Sequence, residues 1–170
     1  QFENSQEVKL TGIVGLKVPK GTESRLLSLD IVPVRSLRKE FFNPSSSKIL
    51  ARYSRLRMIR EIPLCYTVNY VPELFVNKIR SSNIQDNTML EILINKVFLS
   101  LGDINQAIRA VPANNETAAQ LKIEPLAPVM YVETFAYDDK VQRILYSHTF
   151  YRGDQSKYNA EIYSVQNNSK

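Results

Sequence analysis

Apolar and polar residues alternate most cleanly between residues 62 and 71, IPLCYTVNYV. In an extended chain Ile62, Leu64, Tyr66, Val68 and Tyr70 fall on one face, and Cys65, Thr67 and Asn69 on the other. Residues 48–58 alternate nearly as well. Only a few residues separate the two runs, which predicts an antiparallel hairpin. A second hairpin is predicted from 128–138 and 141–151, turning at Asp138-Asp139-Lys140. The aliphatic run LLSLDIVPV predicts a strand over 26–34, and residues 103–111 predict another. Ser36 is positioned to cap a short helix through Phe42, before Asn43-Pro44. Pro72 ends its strand and can open a helix through Ile79. Met89, Leu90, Leu93, Ile94, Val97 and Phe98 recur with a period near 3.6, predicting a helix capped by Asn87. Asn114 or Asn115 starts a short helix through Leu121, and a last strand is expected over 160–165. Strands outnumber helices and neighbours join through short turns, so the predicted class is α+β, with a largely antiparallel sheet and helices packed on it.

Length adds one constraint. At 170 residues and 44% hydrophobic, the chain is one ordinary domain able to bury a core. A single cysteine, Cys65, excludes an internal disulfide framework and points to a reducing, cytoplasmic setting. No apolar run approaches the ~18 residues of a membrane span, so no membrane partner is expected. The chain opens on Gln1 in the polar stretch QFENSQE, which raises the expectation of a fragment with another domain upstream.

The net charge of +5 is not laid out as a nucleic-acid stripe. It concentrates in the first hairpin, where Lys48, Arg52, Arg55, Arg57 and Arg60 precede the first acid, Glu61. Arg55 and Arg57 lie two apart on one strand, so both leave the same face. On a solvated face they are ordinary surface charges. On a concave interior, two unpaired guanidinium forks require an anion.

No catalytic set assembles around them. His148, the only histidine, lies mid-strand in YSHTFY and reads as structural. Cys65 has no sequence context that would lower its pKa and reads as a small buried hydrophobe. The chain has five glycines and no phosphate-cradling loop, and no His, Cys or carboxylate cluster has metal spacing. No cofactor, metal ligand or catalytic residue is therefore expected.

Four segments in order resemble the UTRA domain, the effector-binding module of HutC-type GntR family transcription regulators. They are GTESRLLSLDIV, RLRMIREIPLCYTVNYVP, ETAAQLKIEPLAPVMYVETFAYDD and LYSHTFYRGDQSKY, and together they span roughly residues 8–165. The resemblance implies a chorismate-lyase-like fold with a ligand cleft between sheet and helices. It further implies a homodimer, a winged helix-turn-helix domain upstream that contacts operator DNA, and a small anionic effector bearing phosphate or carboxylate. Within that family the arginines of the RLR strand point into the cleft and hold the anion, and Arg55 and Arg57 match them. By position the resemblance adds Thr67, Asn69, Leu145, Tyr151 and Thr11 as effector-binding candidates.

Two departures stand out. The family often carries a glutamate where this chain has Thr67, and another where it has Leu145, while Tyr151 is retained. Leu145 and Tyr151 face the same way by alternation, so the wall keeps its aromatic and loses its acid. A smaller or more apolar anion is the expectation. Arg152 and Asp154 read as a structural pair tying a turn to the sheet. Two other functions fit the same fold: a chorismate-lyase-like enzyme, and a dimerisation module with a vestigial cleft.

Overall fold

The β3–β4 hairpin organises the molecule. In the computed structural model, which describes residues 8–11, 20–37, 48–80 and 84–159, strand β3 (Ile49–Ile59) runs antiparallel to β4 (Ile62–Pro72). Their turn is only Arg60-Glu61, both at positive φ (45° and 68°), as a two-residue turn that follows the strand twist requires. The register shifts between Arg57 and Met58, so Leu64 is passed over between Pro63 and Cys65, and regular alternation runs from Cys65 onward.

Beyond Pro72 a 3-10 turn leads into α1 (Val76–Arg80), and α2 (Met89–Asn95) follows. The cap of α2 is Thr88, not the expected Asn87. Thr88 accepts from the Glu91 amide at 3.1 Å, and the Glu91 carboxylate accepts from the Thr88 amide at 2.7 Å. The helix is also shorter than its periodicity predicts: Val97 is buried beyond its end, and Phe98 is exposed at φ 60°.

Strand β5 (Leu101–Pro112) forms the far edge of the sheet. Then α3 (Asn115–Leu121, capped by Asn114) leads into the hairpin of β6 (Pro128–Asp138) and β7 (Arg143–Arg152). Asp138 fixes that hairpin's turn, its Oδ1 accepting from the Lys140 and Gln142 amides. With β2 (Glu23–Pro33) at the other edge, the six-stranded order is β2-β3-β4-β7-β6-β5, antiparallel throughout.

Both faces of the central strands are covered. On one, Ala51, Tyr53 and Val71 pack with Val76, Ile79, Ile92 and Leu93 of α1 and α2. On the other, Leu56, Tyr66 and Val68 pack with Ala118 and Leu121 of α3. A pair that the local pattern does not announce, β1 (Val8–Thr11) with β8 (Ser156–Asn159), runs parallel in a separate two-stranded sheet. The expected strand over 160–165 lies outside the described residues. So does most of the helix expected from Ser36: the described part is a 3-10 turn, Val34–Ser36, followed by an extended Leu37.

Candidate functional site

Between the sheet and α2 lies a cavity of about 70 Å³. Cross-strand register lays its floor out in rows. The first runs Ser24–Arg57–Cys65–Tyr151, the second Arg55–Thr67–Thr149, and the third Asn69–Ser147–Thr134–Gln106. Thr88, Met89 and Leu90 at the start of α2 form the roof, and Leu145 closes one wall. Rows two residues apart on a strand stand about 7 Å from one another.

Six of the residues singled out in the sequence, Arg55, Arg57, Thr67, Asn69, Leu145 and Tyr151, therefore line one cavity. The seventh does not join them in the description: Thr11 pairs with Asn159 in the small sheet, and its side chain lies outside the described residues. Asn69 shares the cavity face with Thr67, while Tyr66 points the opposite way and donates to Glu116 Oε1 at 2.7 Å. Cys65 is a buried wall, its thiol pushed up by burial against the pull of Arg57 and Arg55. Sequence reading missed Ser24, Gln106, Thr134, Ser147 and Thr149. The alternation of 128–138 and 141–151 carries the signal for three of them, but only cross-strand register brings them to the cavity.

The two arginines differ from the expected free pair. Arg55 is only 5% exposed, and its Nη2 donates to the backbone carbonyls of Ile84 and, at 2.7 Å, Asn87. It fastens the turn before α2 onto the sheet. Arg57 is half-buried. Its Nε donates to Ser24 Oγ at 3.2 Å, and its terminal nitrogens have no acceptor among the described residues. Burial, and then repulsion from Arg57, pulls the Arg55 guanidinium down to about 10. No carboxylate is among the described residues lining the cavity, and Glu91, just outside that lining, only partly offsets the burial of Arg55. Asn69 is 3% exposed, and its Nδ2 has no hydrogen-bond partner among the described residues.

Residues outside the cavity carry structural work. Arg152 holds Asp154 through two bonds, Nε to Oδ1 at 2.9 Å and Nη2 to Oδ2 at 2.6 Å, and reaches Leu121 O at 3.4 Å. This pairing holds the Asp154 carboxyl below its usual range. A Cβ at Gly153 would meet the Pro128 carbonyl oxygen at 2.6 Å, which accounts for glycine between them. His148 lies on the opposite face of the sheet. Its Nδ1 is 3.3 Å from the hydroxyls of Tyr131 and Tyr146, which also reach Glu133 Oε1 at 3.2 Å. Among the described residues no His, Cys, Asp or Glu group could hold a metal, and no helix is long and apolar enough to cross a membrane.

The profile of the UTRA domain matches residues 19–157. The chain belongs to the UTRA domain family. Among curated proteins no sequence matches this UTRA domain. Among solved structures it resembles a GntR family transcriptional regulator from Enterococcus faecalis V583, at 26% identity and TM-score 0.71, covering 82% of this chain and 99% of that one. It also resembles the possible transcriptional regulator YydK from Bacillus subtilis (20% identity, TM-score 0.75, covering 95% and 70%). The effector domain of PhnF from Mycobacterium smegmatis is a third likeness (12% identity, TM-score 0.72, covering 84% and 88%). The antiparallel sheet with its few helices is the chorismate-lyase-like fold of these regulator domains.

Proposed function

We propose that this UTRA domain is the effector-sensing and dimerising part of a HutC-type GntR regulator, and that its effector is a small anion bearing phosphate or carboxylate. The observation that carries this reading is the pair Arg55 and Arg57 on the cavity floor, with no carboxylate among the described lining residues. A guanidinium offers a planar fork of donors matched to phosphate or carboxylate oxygens. Arg57, whose terminal nitrogens have no acceptor among the described residues, is the direct anchor. Arg55 adds charge from behind and holds the roof. Thr67, Leu145 and Tyr151 shape the walls.

Output to DNA follows from population shift. An effector that binds one arrangement of sheet, α2 and dimer partner better than another biases the pair towards it. A homodimer would re-space two winged-helix domains on an operator. The likeness in fold to the effector domain of PhnF supports a sensing role.

The test is a thermal-shift screen of the domain against phosphate esters, inorganic phosphate and small carboxylates. A ligand at 100 times its Kd adds ~2.7 kcal/mol of stability. Silence from every anion, with a response to neutral or cationic compounds, would overturn the reading.

A further inference from the structure

The third row of the cavity floor is polar along its whole length and carries no charge. Asn69 on β4, Ser147 on β7, Thr134 on β6 and Gln106 on β5 are successive cross-strand partners, and all four line the cavity. A sheet face under a helix is ordinarily apolar, because polar groups without partners are costly to bury. Two of the four are buried, Asn69 at 3% and Ser147 at 7% exposure. Gln106 Nε2 donates to Thr134 Oγ1 at 2.9 Å, but the Asn69 amide donor has no partner among the described residues. The missing acids at Thr67 and Leu145 thus do not make this wall apolar: neutral hydrogen-bonding groups stand where an apolar ligand would want aliphatics.

We infer that the effector is two-ended, with an anion on Arg57 and, at its far end, a neutral hydroxyl or carbonyl read by Asn69, with no positive charge. This rests on the anion site proposed above and corrects the expectation of a more apolar ligand. The length follows from the rows. Arg57 and Asn69 stand two rows apart, about 13 Å at the backbone, and both line the cavity, so a ligand that touches both is elongated. A linker of three or four atoms between its two polar ends sets the length of the probes below. A water occupies on the order of 10–15 Å³ of such space, so a cavity of about 70 Å³ holds roughly five water-sized units, a molecule of this size. An amide can present either its donor or its acceptor by a half-turn, and a hydroxyl complements both. An ammonium finds no carboxylate among the described lining residues and two guanidiniums nearby, so a zwitterion is disfavoured.

The experiment is calorimetric titration with two matched series: propyl, 3-hydroxypropyl and 3-aminopropyl phosphate, and butanoate with its 4-hydroxy and 4-amino counterparts. In the better-binding series the hydroxyl member should bind about 2- to 10-fold tighter than its alkyl partner, the range of one neutral hydrogen bond. The amino member should be the weakest. Asn69→Leu should bring the hydroxyl-to-alkyl ratio to about 1. Asn69→Asp, nearly the same shape and a safeguard should the leucine variant not fold, should raise the amino member relative to the hydroxyl one. A hydroxyl advantage that is absent in the wild type, or that survives Asn69→Leu or leaves the Asn69→Asp order unchanged, overturns this inference while leaving the anion site standing. Failure of both series to bind the wild type overturns the anion site and this inference together.

Discussion

Replacing Arg55 by methionine should loosen α2 far more than it destabilises the domain. Arg55 Nη2 donates to two backbone carbonyls, Ile84 O and Asn87 O, immediately before the Thr88 cap. Hydrogen bonds from a charged donor contribute about 1.5–3 kcal/mol each, together about 3–6 kcal/mol. Against this stands the cost of burying the guanidinium beside Arg57. Its pKa falls from 12.5 to about 10, a penalty on the order of 3 kcal/mol. Because the folded value is the lower one, the penalty is present at every pH below about 10 and the balance is insensitive to pH near neutrality. The net loss from Arg55→Met is therefore about 0–3 kcal/mol globally, since methionine keeps the apolar stem. Locally both ties between roof and floor disappear. Hydrogen exchange of the amides in Met89–Asn95 should accelerate relative to those of β3 and β4, and urea denaturation gives the global term. Unchanged exchange in α2 would refute the reasoning and reduce Arg55 to a buried charge with no positioning role.

Two further substitutions probe the frame around the site. Glu61→Gly should stabilise the domain by about 0.5–1 kcal/mol in thermal or urea denaturation, since both turn residues sit in the left-handed region that glycine occupies freely. A loss of stability would mean that Glu61 makes a contact worth more than the strain. His148, pulled down to about 4 by burial, remains neutral in the folded protein while the unfolded chain takes up a proton below 6.5. Stability should therefore fall as pH drops through that window, and the wild type should lose up to about 2 kcal/mol more than His148→Gln between about pH 7 and pH 5. Parallel pH profiles for the two proteins would contradict it.

The parts of this molecule that were legible in the sequence are those written in local pattern. The β3–β4 and β6–β7 hairpins follow from alternation and short connections; alternation also put Arg55 with Arg57 on one face and Thr67 with Asn69 on one face, while the resemblance brought the two pairs to one cleft. What local pattern could not supply is register between strands distant in sequence. Asn69 meets Ser147, and Thr134 meets Gln106, only because the chain leaves β4, builds β5 at the far edge and returns. The parallel pair β1 and β8 escaped for the same reason, its strands lying at opposite ends of the chain. Asn87 and Thr88 are both competent caps, and the choice went to the residue with Glu91 three positions on. Arg55 was expected to be free because no acid lies between Lys48 and Glu61, but its partners are carbonyls, which every residue carries and no composition reveals.

The central claim, an anion held on Arg57 between sheet and α2, is tested most directly by titrating wild type and Arg57→Ala with propyl phosphate and butanoate in a calorimeter. Arg57 offers the only guanidinium of the pair whose terminal nitrogens have no acceptor among the described residues. One or two charged hydrogen bonds at about 1.5–3 kcal/mol each predict at least a roughly tenfold loss of affinity, with the fold retained by circular dichroism. Equal affinities of the two proteins for the anion that binds would contradict the account, placing that anion elsewhere on the domain.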